Sequence, residues 1–143
     1  AIFAIGLIRN AVISTYGTNP IFIKRLLSSF VYNKYSLTDE RVGIIQQPMV
    51  VQGTTGAYAD WLKNLMEYQE TSLGSNFENF KKINLPVSII WGSEDSVTPL
   101  WQGQALQKLI PQSELLVIKG VGHIPYIENV NEFNSALIKS LKK

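Results

Sequence analysis

Two short apolar runs flanking a helical pattern constrain this chain more than any other feature. The stretch PVSIIWG, residues 86–92, is bounded by Pro and Gly and reads as a strand buried on both faces. Thr98-Pro99 then opens a helix, with Thr98 as N-cap and Pro99 at the first helical position. Its apolar stripe is Leu100, Ala105, Leu106, Leu109 and Ile110, and Pro111 stops it. The run ELLVIK, residues 114–119, is a second buried strand closed by Gly120. Strand, helix and strand within about 35 residues form a crossover unit, which requires parallel strands in a sheet covered on both faces. Two strands do not make a stable open sheet, which typically has about four to six. The remaining strands are expected from another segment or another molecule.

Before this unit the texture is helical. Thr38-Asp39-Glu40 places a capping hydroxyl and two acids where the orphan amides and positive dipole end of a helix favour them, so a helix begins near Asp39. A second opens at Gly53-Thr54-Thr55-Gly56, and Tyr58, Trp61, Leu62, Leu65 and Met66 form its apolar stripe. Residues 44–52 are ambiguous, because Pro48 divides a run whose β-branched ends also suit an extended chain. After the second strand, Asn129 caps a final helix with Glu132 as the capping-box acid, and Val130, Phe133, Leu137 and Leu141 face the core. The domains expected are therefore 1–82, helical, and 83–143, strand-bearing.

Composition narrows the function classes. At 143 residues, 45% apolar and 17% charged, the chain is that of a soluble globular domain. A net charge of +2 with scattered Lys and Arg leaves no footprint for nucleic acid. The absence of Cys excludes disulfides, thiolate metal ligands and a cysteine nucleophile within this stretch, and a lone His argues against a metal site. The apolar start, AIFAIGLI, is too short to span a bilayer and lacks a basic leader. A cytoplasmic location is the expectation. Because the chain begins with Ala rather than Met, it reads as an internal fragment whose targeting segment could lie upstream.

Chemistry concentrates in two loops. In doubly wound sheets reactive groups collect beyond the carboxyl ends of the strands. Asp95 follows the first strand and His123, the single histidine, follows the second, so both open on one sheet edge. An imidazole needs a carboxylate to fix its tautomer and stabilise its cation, as in a Ser-His-Asp system. Glu94 is the rival acid. Taken singly, each residue has a plainer reading, Asp95 as a turn residue and His123 as a hydrogen-bonded structural group. Likewise Glu128 favours the start of the last helix through its dipole, and Trp91 is core. The aromatics Phe22, Phe30, Tyr32, Tyr35, Tyr58 and Trp61 either line an apolar pocket or pack the helical segment, the second being preferred.

The segments LPVSIIWGSEDSVTP (85–99), GVGHIPYIE (120–128) and NEFNSALIKSL (131–141) together resemble the C-terminal part of α/β-hydrolase fold enzymes. That resemblance covers roughly residues 83–143 and implies Asp95 as the triad acid and His123 as the triad base. The fold it implies is α/β, the βαβα end of a parallel sheet, with the preceding helical segment as a cap or lid. The chain departs from the pattern at one point: no serine has glycine two positions before and two after, so the G-x-S-x-G elbow is missing. Donors of the oxyanion hole are likewise expected in an absent N-terminal half. The resemblance implies a parent that hydrolyses a carboxyl ester or related small molecule, without a cofactor, while the 143 residues alone are inert. An Asp elbow would instead suggest epoxide or haloalkane hydrolysis, and C–C bond hydrolysis is also open. The alternative is a non-catalytic binding module on the same scaffold. With open strand edges, the isolated chain is expected to self-associate.

Overall fold

Helices come first along the chain and the strands late. The computed structural model describes residues 6–67 and 72–142. In order these form α1 (Gly6–Thr18), α2 (Pro20–Phe30), α3 (Asp39–Gln46), α4 (Thr54–Met66), β1 (Ser88–Gly92), α5 (Leu100–Leu109), β2 (Glu114–Ile118), α6 (Pro125–Glu128) and α7 (Val130–Leu141). Short 3₁₀ turns occupy Lys34–Ser36, Gln47–Met49, Leu73–Ser75 and Phe77–Lys82. Residues 44–49 thus resolve as the end of α3 and a 3₁₀ turn holding Pro48 near its start, where the missing N–H costs nothing, and residues 50–52 as a bend and turn rather than a strand. Among the described residues no helix is long and apolar enough to cross a membrane.

Two units separate by their internal packing, one of Ala1–Leu27 with Thr38–Glu70 and one of Ser28–Leu37 with Thr71–Lys143. In the helical unit α1 packs on α4, and Ile23, Leu27, Val42 and Ala59 are buried. The Thr38 side chain accepts from the Arg41 N–H at 3.3 Å, capping α3 at the expected residue. Gln46 Nε2 donates to the Gly17 carbonyl at 2.9 Å, joining the end of α3 to α1. The face of α4 differs from its expected stripe. Ala59 is its buried residue, while Trp61 and Leu65 are exposed. The Met66 side chain, like residues 1–5 of the apolar start, lies outside the described residues. Helical period was legible here, but its phase was not, since a small residue allows closer helix approach than a Trp does.

In the strand-bearing unit β1 and β2 pair in parallel, from Ser88 opposite Glu114 to Gly92 opposite Ile118. Helix α5 supplies the crossover and packs on both strands, as does α7. The core comprises Ile89, Ile110, Ile118, Val121, Ile124 and Ile127, with Val31 and Leu37 contributed by the segment Ser28–Leu37. Three expectations are corrected. Strand β2 is not buried on both faces, because Val117 is exposed. On α5 the buried position is Gly103, whose absent Cβ would lie 2.9 Å from Trp91 Cδ2, and Ala105 faces out. On α7 Val130, Leu137 and Leu141 are exposed and Phe133 is half-buried, although the Asn129 side chain caps the helix from the expected position, accepting the Glu132 N–H at 3.2 Å.

Candidate active site

Tight backbone turns bring the two strand-end loops together. Beyond β1, Ser93 N donates to Ile118 O and Glu94 N to Val121 O, each at 2.9 Å. In return Gly120 N donates to Ser93 Oγ at 2.9 Å. Gly120 adopts φ +69°, a left-handed conformation that favours glycine. Gly92 is required for a different reason: a Cβ there would fall 2.1 Å from Gly122 O and 2.5 Å from Val121 O. The loop after β2 therefore lies directly on the end of β1.

This stitching places Asp95 and His123 in contact. Asp95 Oδ2 lies 2.9 Å from His123 Nδ1. Its Oδ1 accepts the backbone N–H groups of Val97 at 2.9 Å and Thr98 at 2.8 Å, an Asx-type turn. A fourth bond comes from the Thr98 hydroxyl, which donates to Oδ2 at 2.7 Å and sits 3.1 Å from His123 Nδ1. The Asp95 side chain is only 5% exposed, whereas that of His123 is 36% exposed. Burial pushes the Asp95 carboxyl up, but the bonds from His123, Thr98 and Val97 together outweigh it and hold the group below the usual carboxylate value. A carboxylate only accepts, so the shared proton belongs to Nδ1 and Nε2 is the basic nitrogen of the neutral ring.

Glu94 does not compete for the imidazole. It is exposed, and Ser93 Oγ donates to its Oε1 at 2.9 Å. Thr98 is the residue whose part differs most from its expected one. Pro99, not Thr98, is the N-cap of α5, and the Thr98 side chain turns to Asp95 instead of to the helix amides. The Asp-x-x-Thr spacing is a local signal for the bond to the Thr98 N–H, but nothing local announces the hydroxyl's approach to a ring 25 residues away. Trp91 is half-buried, its Nε1 donating to the Thr98 carbonyl at 2.9 Å, and this ties the Asp95 turn to β1. Asp95, Thr98 and His123, with Ile90, Trp91 and Pro125, line a cleft of about 160 Å³. That is smaller than the roughly 300–1,000 Å³ of a typical ligand pocket. Of the aromatics, Phe30 meets His123 edge-on with ring centroids 5.8 Å apart, and Tyr58 pairs with Trp61 at 5.3 Å. Tyr35 is 96% exposed and packs neither a pocket nor a core.

Residues 11–130 match the model of the α/β-hydrolase fold family. The chain belongs to that family. Among curated relatives, it is 28% identical over 126 residues to the 2-hydroxy-6-oxononadienedioate/2-hydroxy-6-oxononatrienedioate hydrolase of Cupriavidus pinatubonensis, covering 83% of this chain and 40% of that enzyme. It is 24% identical over 127 residues to lipase 1 of Psychrobacter immobilis, covering 83% of this chain and 38% of the lipase. Among solved structures, an esterase from Exiguobacterium antarcticum superposes with a TM-score of 0.70 at 18% identity, over 94% of this chain and 47% of the esterase. A serine hydrolase involved in carbazole degradation gives the same TM-score of 0.70 at 17% identity, over 90% of this chain and 49% of that structure. This α/β-hydrolase chain thus spans about 40% to half the length of these four relatives. Its small parallel sheet and many helices correspond to a C-terminal portion of the fold.

Proposed function

We propose that this chain is the acid- and base-bearing part of an α/β-fold hydrolase that cleaves a carboxyl ester or related small electrophile. The observation that carries the reading is the Asp95–His123 hydrogen bond of 2.9 Å, formed between loops at the same edge of a parallel sheet. In the reaction proposed, a nucleophile from outside these residues attacks the substrate carbonyl while His123 Nε2 takes its proton. Asp95 stabilises the imidazolium, which then protonates the leaving group. Water repeats the cycle on the acyl intermediate and releases the nucleophile. The similarity to lipase 1 of Psychrobacter immobilis supports an ester substrate, while that to the oxononadienedioate/oxononatrienedioate hydrolase keeps a small diacid in contention. The helical unit is proposed as a cap over the substrate.

The competing reading, a non-catalytic binding module, is favoured by the absence of a G-x-S-x-G pattern within the 143 residues. One experiment separates the two. The native gene, with all coding sequence upstream of Ala1, is expressed and assayed on activated esters and on small oxo-diacids. Turnover that falls by roughly 10⁴-fold or more in His123→Ala, with folding retained, is the expected result. Turnover unchanged by His123→Ala sinks the base assignment, and no turnover on any substrate favours the module. This chain by itself should read background. It is also proposed to self-associate through exposed apolar side chains such as Val117, Leu137 and Leu141, which sedimentation at several concentrations would reveal. A stable monomer would overturn that.

A further inference from the structure

One carboxylate outside the Asp95–His123 pair is bonded in an unusual way. Glu128 closes α6, and its Oε1 accepts the Gly122 N–H at 2.7 Å. Its Oε2 accepts two more, from Tyr32 at 2.8 Å and Asn33 at 2.8 Å. Three backbone donors on one carboxylate, two of them from a segment 95 and 96 residues distant, do not arise from helix-end electrostatics. The reading of Glu128 as a dipole partner of the last helix is therefore replaced.

What Glu128 joins is the backbone just before the histidine and the segment of Tyr32 and Asn33. His123 N donates to the Phe30 carbonyl at 2.8 Å. At Gly122 a Cβ would stand 2.7 Å from Phe30 O, 2.8 Å from Tyr32 N and 3.0 Å from Glu128 Oε1, so the two backbones touch without a side chain between them. The Phe30 ring meets the imidazole edge-on from the same segment. Lys34 Nζ in turn donates to the Ser28 and Val31 carbonyls, so the turn presented to the histidine loop has its own acceptors occupied. Rotation of the peptides on either side of Gly122 would carry Nδ1 away from Asp95; the Gly122 N–H bond to Glu128 opposes rotation of the Val121–Gly122 peptide, and the His123 N–H bond to Phe30 O opposes that of the Gly122–His123 peptide.

We infer that Glu128 is a positioning residue for His123, holding the histidine loop against residues 30–33 so that Nδ1 stays within hydrogen-bond reach of Asp95. This deepens the hydrolase reading and rests on it for its catalytic meaning, but its test needs neither substrate nor nucleophile. His123 is the single histidine of the chain, so its Nδ1 proton gives one unambiguous ¹⁵N-edited resonance, downfield while bonded to Asp95. In Glu128→Gln the amide group has the same size but sets a donor against a donor. The expected result is loss or a large upfield shift of the His123 Nδ1 proton. Amide exchange at Gly122, Tyr32 and Asn33 should accelerate at least about tenfold. The Trp91 Nε1 proton, bonded to Thr98 O, should keep its position and shows that β1 and α5 remain folded.

Faster exchange at the three amides with an unaltered His123 resonance would reduce Glu128 to a purely structural tie and overturn the inference. No change at either place would overturn it too. If Glu128→Gln fails to fold, Glu128→Asp is read in the same way, since the shorter carboxylate cannot reach all three donors. An unmoved His123 resonance there also defeats the inference. These outcomes are independent of turnover, so a failed esterase assay and a failed clamp are told apart.

Discussion

The helical and strand-bearing units are organised by different kinds of bond. In the helical unit order is mainly local, from helix hydrogen bonds and the Thr38 cap. Longer polar ties described there, such as Gln46 to Gly17 and Lys24 to Asp39, span 29 and 15 residues and hold helices rather than loops. In the strand-bearing unit the irregular segments themselves interlock, as in Glu94 N to Val121 O, His123 N to Phe30 O and the three donors on Glu128. Local order tolerates substitution at its surface. Interlocked loops do not, because each main-chain group is both scaffold and contact.

The sharpest test of that contrast uses one substitution in both units. Gly92→Ala drives a Cβ to 2.1 Å from a carbonyl oxygen and should cost about 3 kcal/mol, seen as a lowered urea midpoint. Gly43→Ala, on α3 with nothing within 4 Å of the new Cβ, should raise stability by about 0.5–1 kcal/mol. Equal effects would break the comparison.

Acid should act next, and differently, on the two units. The Asp95 carboxyl lies below its ordinary value of 3.8, so the stability it confers is complete above that value and is lost as pH falls through the lower folded-state value. Unfolding followed at the Trp91 indole proton between pH 5 and about pH 2 should show this loss, and Asp95→Asn should flatten it. Asp39 is also lowered, by its hydrogen bond from Lys24 and that group's charge, but it is 92% exposed. About 0.5 M salt should therefore weaken the Asp39 effect and leave that of Asp95 in place.

Smaller effects refine the picture. Thr98→Val removes the hydroxyl bond to Asp95 Oδ2 while keeping both backbone bonds, and about 1–1.5 kcal/mol should be lost. Thr38→Ala and Asn129→Ala remove N-caps of the same kind from the two units and should each cost about 0.5–1 kcal/mol by urea unfolding. Equal values for the caps would place the difference between the units in the loops, where the comparison puts it, rather than in helix ends.

Much of the strand-bearing unit was legible in advance. The Pro- and Gly-bounded runs, the helix between them and the Asn129 cap lie where the residue pattern puts them, and the parallel direction of the strands follows from the crossover. Asp95 and His123 could be placed at one sheet edge because strand polarity alone decides which loops open there. The approach of the Thr98 hydroxyl to the His123 ring, the Glu128 bonds to Tyr32 and Asn33 and the buried phase of α4 and α7 were not legible, because each depends on a partner distant in the chain.

By itself, then, the sequence determined the strand–helix–strand unit, the starts of α3, α4 and α7, and which two side chains could meet. Periodicity, caps and turn residues act over three or four positions, and such interactions survive in any surroundings. Only the tertiary structure decided which faces are buried, that Gly103 rather than Ala105 packs beneath Trp91, and that Glu128 binds three amides. The physical reason is that burial and long-range hydrogen bonds belong to pairs of segments. A residue's own neighbours carry no record of what the fold will bring against it.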